Sequence, residues 1–294
     1  MKYYSQINNG EQWLLISLRS HVCLCMNEKT AGREGKHIKS AHTVFDIIEF
    51  IKENDGATAS ELTDELDYSK STIHYYLKTL EYRRYIVEEH GMYYLGLRFF
   101  DLGNCSIARR DPHSAVKDEI NTLAEKTGHA AYFAVEEGGK GMYVYQTDPE
   151  VLLNGRNRGI EHHLHSTASG KAILAHLPES EASNIIEQHG LPSITDETVT
   201  ELDVLQSELE HVREYNIAFE HEERLPEIGA IAAPIINESG DITGAVGIAG
   251  DADELQRPVQ NLENKSWKAQ RFANKPWNIV RQTAQSITNK IHRG

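Results

Sequence analysis

The chain has 294 residues, and its 44 acidic against 30 basic side chains give a formal net charge of −14. This acidity excludes bulk electrostatic attraction to nucleic acid or to anionic membranes, and it favours a host with concentrated salt inside the cell. The length suits about two domains, and a total of three cysteines excludes a disulfide framework and favours a reducing cytoplasm.

Residues 1–36 show neither a helical nor a strand period, and we treat them as an uncertain N-terminal extension. Their most apolar stretch, residues 13–26, contains Arg19 and His21 and is shorter than the ~20 residues that span a bilayer. It also lacks the basic start and cleavage site of a signal peptide, so we expect no membrane association. The residues after Met26 are polar, as is usual before a first domain, and this suggests that translation starts at Met26. Cys23 and Cys25 have no second cysteine pair to complete a metal site and are interpreted as ordinary thiols.

Residues 37–95 predict a winged helix-turn-helix. Apolar residues recur at helical spacing from Val44 to Ile51, and Gly56 ends this first helix. Thr58 and Glu61 have the spacing of a capping box for a short second helix. Ser69 is placed to cap a third helix, and alternating residues that turn at His90-Gly91 predict a β-hairpin, the wing.

The third helix buries one face and presents hydroxyls and amines on the other. Residues 68–84 hold four basic side chains against one acidic one, whereas residues 36–95 as a whole hold seven against eleven. Such a face suits base edges and phosphates in a major groove. We predict that the base-edge contacts come from Ser71, Thr72, His74 and Tyr75, and the phosphate contacts from Lys70, Lys78, Arg83 and Arg84. The alternative is a protein-interaction module that uses the same face without touching DNA.

Residues 96–111 predict a linker helix that could pair with its copy in a dimer, and Pro112 suits the first turn of the next helix, which Gly128 closes. Residues 112–294 then interleave strands, antiparallel hairpins and helices, which predicts an α+β domain. A strand hairpin turns at Gly138-Gly139, a second one turns near Gly240, and a helix ends the chain. The polar segment 255–276 receives no assignment.

Five stretches, in order, resemble the IclR family of transcriptional regulators over about residues 38–250. They are ATASELTDELDYSKSTIHYYLKTLE, LGLRFFDLG, LHSTASGKAILAHLPE, LEHVREYNIAFEHEE and IAAPIINESGDITGAVGIAG. The first stretch with its lead-in resembles haloarchaeal members. The resemblance implies a DNA-binding regulator with a GAF-like C-terminal domain that binds a small organic effector. It also implies a homodimer or homotetramer on double-stranded DNA, with no cofactor and no catalytic activity.

The resemblance also implies an effector pocket, carried over position by position. Backbone N–H groups would come from Ala168 and Ser169, an acidic group from Glu220, and wall positions from Ile228 and Ala230. Two serines common in the family are replaced by Gly247 and Ala249, which predicts a larger, less polar pocket and an uncharged or bulkier ligand, or a lost response. Glu227 replaces a conspicuous glycine. The alternative for Ser169 is a plain N-cap.

Two other motifs bear on possible chemistry. His162, His163 and His165 are a weak metal motif without a defined ligand set. The sequence SGK at Ser169–Lys171 lacks the further glycine and the hydroxyl residue of a phosphate-binding loop. No nucleophile, base and acid occur in a catalytic pattern, so an enzyme built on the C-terminal domain is the least favoured of the three classes.

Overall fold

The computed structural model describes residues 38–109, 113–148, 161–255 and 275–291, with the side chains of residues 108–115 left aside. Contacts group the chain into two compact units, residues 1–42 and 43–294. Of the first unit, residues 38–42 are described, and they include the start of the first helix. The hypotheses on Met26, on Cys23 and Cys25, on Pro112 and on nearly all of the segment 255–276 lie outside the described residues.

The N-terminal elements form the predicted winged helix-turn-helix. They are α1 Lys39–Glu53, β1 Ala57–Thr58, α2 Ala59–Leu66, α3 Lys70–Tyr82, β2 Ile86–Glu89 and β3 Met92–Leu95. β3 pairs antiparallel with both β1 and β2, so the wing is a small three-stranded sheet. Its tip is His90-Gly91, where both residues have positive φ, as a tight hairpin turn requires.

Local sequence signals account for this domain. The apolar faces of α1, α2 and α3 meet in one core, where Ile47, Leu62, Ile73 and Leu77 are fully buried. The capping box at α2 is present, because the Thr58 hydroxyl accepts the Glu61 N–H and the Glu61 carboxylate accepts the Thr58 N–H. Ser69 caps α3 by accepting the Thr72 N–H at 3.2 Å, as predicted.

We expect Thr58→Ala to lower the free energy of unfolding by about 1 kcal/mol, because the substitution removes the acceptor of one α2 N–H group and one half of the capping box. Urea denaturation followed by circular dichroism measures this loss. The matched control is Ser60→Ala, which removes an exposed hydroxyl from the same helix and is expected to be near neutral. Equal midpoints for the two variants would contradict the capping role.

A helix leads out of the winged domain and opens the C-terminal part of the chain. α4 spans Arg98–Arg109 within the predicted linker helix, and α5 spans His113–Thr127. Arg98 and Phe99 hold the start of α4 against Tyr85, with the guanidinium 5.1 Å from the Tyr85 ring centroid. Beyond this point α4 exposes apolar side chains, among them Phe100, which is 70% exposed. Gly128 follows α5 with φ of 74°, as expected of a residue that closes a helix.

The C-terminal domain is built on a six-stranded antiparallel sheet of order β6-β5-β4-β9-β8-β7. Its strands are β4 Ala130–Glu137, β5 Lys140–Gln146, β6 Glu161–His163, β7 Ala218–His221, β8 Ile228–Ile236 and β9 Ile242–Asp251. Its remaining helices are α6 Ala168–Leu174, α7 Glu179–His189, α8 Leu202–Tyr215 and α9 Pro276–Ile291. These elements agree with the predicted α+β class.

Helices cover both faces of this sheet. α5 and α9 lie on one face, where Val116, Ile120, Val280 and Ile287 pack against strand residues such as Ile231. α6 and α8 lie on the other face over a row of small side chains contributed by β4, β8 and β9. Alanine and glycine along these strands allow α6 to approach the sheet closely. The strand residues of the implied effector pocket all lie on this second face.

Candidate functional site

The predicted DNA-contacting side chains share one surface. Lys70, Ser71, His74, Tyr75 and Lys78 are exposed along α3. Tyr75 is 74% exposed, and the described contacts use only its backbone oxygen, which accepts from the Thr79 hydroxyl at 2.7 Å. Over thirteen residues the helix is ~20 Å long, which is enough to follow a major groove through several base pairs.

Hydrogen bonds within α3 already hold several of the predicted groups. The hydroxyls of Ser71 and Thr72 lie 2.9 and 2.8 Å from the Ser69 hydroxyl, so a serine–threonine cluster opens the helix. Lys78 pairs with Glu81 at 2.8 Å, and this hydrogen bond raises the Lys78 pKa. Because Glu81 offsets the charge of Lys78, α3 presents less positive charge to DNA than its two lysines alone indicate.

The two predicted arginines lie beyond the helix. Arg83 is the C-cap of α3, and Arg84 follows it with φ of 61°, where the chain turns toward the wing. Both are exposed. Tyr82, which the sequence analysis missed, is 85% exposed and continues the stripe of Ser71, Tyr75 and Lys78 at helical spacing. Counting that spacing to the end of the helix would have identified it.

The implied effector residues come together on the α6 side of the C-terminal sheet. Strand register places Glu220 of β7 opposite Ala230 of β8, and Ala230 opposite Ala249 of β9. Directly opposed residues point to the same face, so one row carries all three. Gly247 lies two residues before Ala249 on that face, and the half-buried Ile228 packs against the same core.

Glu220 is buried, with 5% of its surface exposed. Its Oε2 accepts the backbone N–H of Ala168 at 3.3 Å. The N-cap of α6 is Thr167, whose hydroxyl accepts the Gly170 N–H at 3.0 Å. The alternative in which Ser169 caps this helix is therefore wrong. Ser169 lies within the first turn. Its buried hydroxyl makes no hydrogen bond of good geometry to a described residue, but it lies close enough to the Tyr132 and Tyr143 phenols to lower their pKa.

The position of Gly247 is not the open space that the sequence predicts. A Cβ at Gly247 would lie 2.5 Å from the Tyr132 hydroxyl oxygen, because the Tyr132 side chain from the neighbouring strand β4 lies over this glycine. The expectation of a larger and less polar pocket is wrong at this position. The Tyr132 hydroxyl, which reaches this face from the neighbouring strand, occupies the space that a side chain at position 247 would need.

Two tyrosines and an arginine extend the polar cluster. Tyr132 and Tyr143 pack edge to face with ring centroids 5.0 Å apart, and the Arg224 guanidinium lies 5.3 Å from the Tyr143 centroid. Burial raises the pKa of Tyr132 well above its ordinary value and that of Tyr143 to about 12, so both phenols are protonated at neutral pH. Sequence spacing gave no signal for the two tyrosines, because the register of β4 and β5 brings them to this face.

Lys171, the lysine of the SGK motif, is 1% exposed. Its ammonium donates to the Glu208 carboxylate of α8 at 2.7 Å and to the Glu223 carboxylate after β7 at 2.6 Å. A lysine held in this way is not available to a phosphate, in agreement with the incomplete loop motif. Through these two ion pairs, Lys171 connects α6 with α8 and with the segment that carries Glu220.

The three histidines of the weak metal motif do not converge on one point. The His163 and His165 ring centroids are 5.5 Å apart, and His162 stacks on Tyr143 at 4.5 Å. His165 is buried, with Nε2 3.1 Å from the Pro192 carbonyl oxygen. Within the described ranges, no group of three or more His, Cys, Asp or Glu side chains is arranged to hold a metal ion.

Glu220 is the titratable group with the clearest pH signature. Burial raises its pKa to about 7, and Glu223 adds to the shift, whereas Arg224, Lys171 and the Ala168 N–H oppose it. The folded state therefore binds a proton that the unfolded state releases near pH 4.5. Stability from this group is lost as the pH rises between these two values, by about 3 kcal/mol in total.

We expect Glu220→Gln to remove this loss, since the amide does not ionise and its oxygen can still accept from Ala168. Between pH 5 and pH 8 the variant should lose less free energy of unfolding than the wild type, by about 3 kcal/mol. Urea denaturation at the two pH values measures the difference. Glu187→Gln, at an exposed position on α7, is the control that should follow the wild type. Parallel profiles for Glu220→Gln and the wild type would contradict the shifted pKa.

Comparison with known proteins gives one consistent result. The family model "IclR helix-turn-helix domain" matches residues 42–90, and "Bacterial transcriptional regulator IclR C-terminal" matches residues 106–275. The chain is 33% identical over 235 residues to "Probable HTH-type transcriptional regulator ArcR" of Halobacterium salinarum, covering 78% of this chain and 89% of that protein. It is 27% identical over 218 residues to "HTH-type transcriptional regulator XynR" of Escherichia coli, with 72% and 86% covered.

Solved structures agree with the fold. The crystal structure of the Thermotoga maritima IclR superposes with a TM-score of 0.69 at 25% identity, covering 87% of this chain and 99% of that one. An IclR homolog from Microbacterium hydrocarbonoxydans, solved in complex with 4-hydroxybenzoate, superposes with a TM-score of 0.67 at 19% identity, covering 85% and 98%. In the part of the chain that the structure describes, no helix has the length and apolar character needed to cross a membrane.

Proposed function

The chain belongs to the IclR family of transcriptional regulators, and on this premise we propose that α3 reads specific DNA sites under the control of a small organic molecule bound on the α6 side of the C-terminal sheet. Family membership makes the protein a DNA-binding regulator with a C-terminal ligand-binding domain and not an enzyme. Family membership also decides against the alternative in which the winged helix acts as a protein-interaction module without touching DNA.

We assign the DNA contacts by chemistry and exposure. Hydroxyl, imidazole and phenol groups on the exposed face of α3 suit base edges, and we assign them to Ser71, Thr72, His74 and Tyr75. Phosphate contacts are assigned to Lys70, Lys78, Arg83 and Arg84. The observation that carries the proposal is the exposed stripe through Ser71, Tyr75 and Lys78 on the second helix of a helix-turn-helix.

We propose a homodimer or homotetramer that places two copies of α3 in successive major grooves of a pseudo-palindromic site. The exposed apolar side chains at the start of α4 support this assembly, since Leu97 is 86% exposed and Phe100 is 70% exposed. The working division is an extension at 1–36, a DNA-binding domain at 37–95, a linker helix at 96–111 and an effector domain at 112–294. Ligand binding would shift the spacing of the two DNA-binding domains through the linker helix.

The effector site that we propose comprises seven positions on α6 and the sheet: Ala168, Ser169, Glu220, Ile228, Ala230, Gly247 and Ala249. The 4-hydroxybenzoate complex of the Microbacterium homolog supports a small organic ligand in this type of domain. A cytoplasmic protein of a salt-adapted cell fits the net charge of −14 and the Halobacterium relative. We propose no cofactor and no metal.

Chromatin immunoprecipitation of the tagged protein with sequencing, in its host at native salt, tests this function. We expect a few sharp peaks that share an inverted repeat, and the genes beside them would nominate the effector as a metabolite of the same pathway. DNase footprinting with the purified protein should then protect the repeat. The absence of peaks and of footprints under several growth conditions would contradict the proposal.

A further inference from the structure

We propose that a second small-molecule site lies on the α9 side of the C-terminal sheet, and that it takes a small dipolar ion, a molecule with one ammonium group and one carboxylate. The site is a cavity between the end of α8, the edge of β8 and α9. It lies on the opposite face of the sheet from the effector site proposed above, and the inference does not rest on that function.

The first observation is the cavity itself. Its volume is about 560 Å³, within the range of roughly 300–1,000 Å³ that is usual for small-molecule sites. Its floor is apolar, because the buried side chains of Ala233 and Ala284 lie there. Its polar rim comes from α8 and α9 and consists of Glu214, Tyr215, Arg281, Gln282, Gln285 and Thr288.

The second observation is a pair of opposite charges that line this cavity without meeting. Arg281 of α9 and Glu214 of α8 are both exposed, and within the described residues neither belongs to an ion pair. Opposite charges on two walls of a cavity attract a molecule with the complementary pattern. A ligand with its carboxylate toward Arg281 and its ammonium group toward Glu214 forms two ion pairs at once.

Tyr215 positions both charged groups. Its carbonyl oxygen accepts from Arg281 Nη1 at 3.4 Å, and its hydroxyl donates to the Glu214 carboxylate, which raises the pKa of Tyr215. A guanidinium has several N–H donors and a carboxylate has several lone pairs, so each group keeps most of its hydrogen-bonding capacity for a ligand. Arg281 can then bind a carboxylate in the bidentate geometry that suits a guanidinium.

The edge of β8 favours a small molecule over an added peptide strand. β7 pairs with Gly229–Ala232, so no described strand lies beside residues 233–236 on this edge of the sheet. The Ile228 carbonyl oxygen accepts the Glu222 N–H at the same edge, and Pro234, at even spacing along β8, directs its backbone there as well. Proline has no N–H to donate to another strand, and Pro234 lines the cavity.

Matched ligands test the inference on the full-length protein. The probes are L-leucine and 4-aminobutanoate, which carry their two charges at different spacings. Each is compared with the same acid without its amino group, 4-methylpentanoate or butanoate, and with its own amide, which lacks the carboxylate. Saturation-transfer NMR titration at pH 7 measures the affinities. We expect the wild type to bind at least one dipolar ion about tenfold or more tightly than both of its derivatives, since each derivative loses hydrogen bonds between charged groups.

Charge reversal locates the site. Arg281→Glu and Glu214→Arg should each weaken binding of the dipolar ion about tenfold or more. The double variant should recover most of the affinity, because the ligand can then bind in the opposite orientation. Glu210→Arg, at an exposed position one turn earlier on α8, is the control that should bind like the wild type.

Four results would each overturn the inference. They are binding of neither dipolar ion at millimolar concentration, equal or tighter binding of the derivatives, single variants that bind like the wild type or like Glu210→Arg, and a double variant that binds no better than the single ones. Because both charged side chains are exposed, we expect all of the variants to fold, and circular dichroism checks this.

Discussion

Replacing Lys171 by methionine should lower the free energy of unfolding by ~3–5 kcal/mol, the range for breaking a buried ion pair by removing one partner. The Lys171 side chain is 1% exposed, and its ammonium group is shared between Glu208 and Glu223. Methionine fills a similar volume, so the loss reports the two ion pairs that the ammonium group makes. Urea denaturation of the full chain at neutral pH measures the change.

The control for this prediction is Lys126→Met, at an exposed position in the last turn of α5, which should change stability by no more than about 0.5 kcal/mol. Adding Glu208→Gln and Glu223→Gln to Lys171→Met should recover part of the loss, because neither side chain then carries the charge that Lys171 balanced. A loss below about 1 kcal/mol for Lys171→Met would mean that the ion pairs contribute little beyond their own desolvation cost.

The stability of Lys171→Met should also depend on pH more steeply than that of the wild type. Burial raises the pKa of Glu223 and Lys171 opposes this shift, so removing the lysine raises this pKa further. A carboxyl group with a raised pKa in the folded state destabilises the protein as the pH rises through that value. The deficit of the variant should therefore be smaller at pH 5 than at pH 8.

The winged domain was predictable because its signals are local. The Thr58–Glu61 capping box, the Ser69 cap and the His90-Gly91 turn each depend on residues within three positions of one another. The apolar period of α3 fixes which face is buried, and the exposed face follows from it. The alternation of strands and helices in the C-terminal part gave the fold class for the same reason.

The chemistry of the effector site was only partly predictable because it depends on strand register. The resemblance placed Ala168 and Glu220 in one pocket, but it gave no indication that Glu220 accepts the Ala168 N–H. The replacement of a family serine by Gly247 indicated open space, which Tyr132 fills from the neighbouring strand. Periodicity identifies which residues share a face within one strand, and it contains no information on which strands are neighbours.

At Glu227 the residue type has changed from the glycine that the resemblance implies, but the backbone conformation is still one that glycine favours. The resemblance implies a glycine at this position, and Glu227 has φ of 64° in the left-handed region, where a side chain costs energy and glycine does not. Its N–H donates to the Glu222 side chain at 2.8 Å, and this contact helps to hold the turn that precedes β8. The backbone conformation that a glycine would suit is thus retained without the glycine.

Replacing Tyr75 by alanine should weaken binding to the mapped operator by about 10- to 100-fold, the cost of losing a base-edge contact. Stability should change by no more than about 0.5 kcal/mol, because the side chain is 74% exposed and the described contact uses the backbone oxygen. Binding to unrelated DNA should be nearly unchanged. Fluorescence anisotropy with operator and scrambled duplexes measures both affinities, and the exposed Gln188→Ala on α7 is the control.

Salt dependence separates this role from that of the lysines. Tyr75 carries no charge, so Tyr75→Ala should leave the slope of log affinity against log salt unchanged. Lys70→Ala should reduce that slope by about 1 and weaken operator and scrambled DNA alike. In concentrated salt the gain from released counterions shrinks, and the uncharged groups of α3 then contribute a larger share of the affinity. If Tyr75→Ala binds the operator as tightly as the wild type at high salt, the base contacts must come from elsewhere on the winged domain.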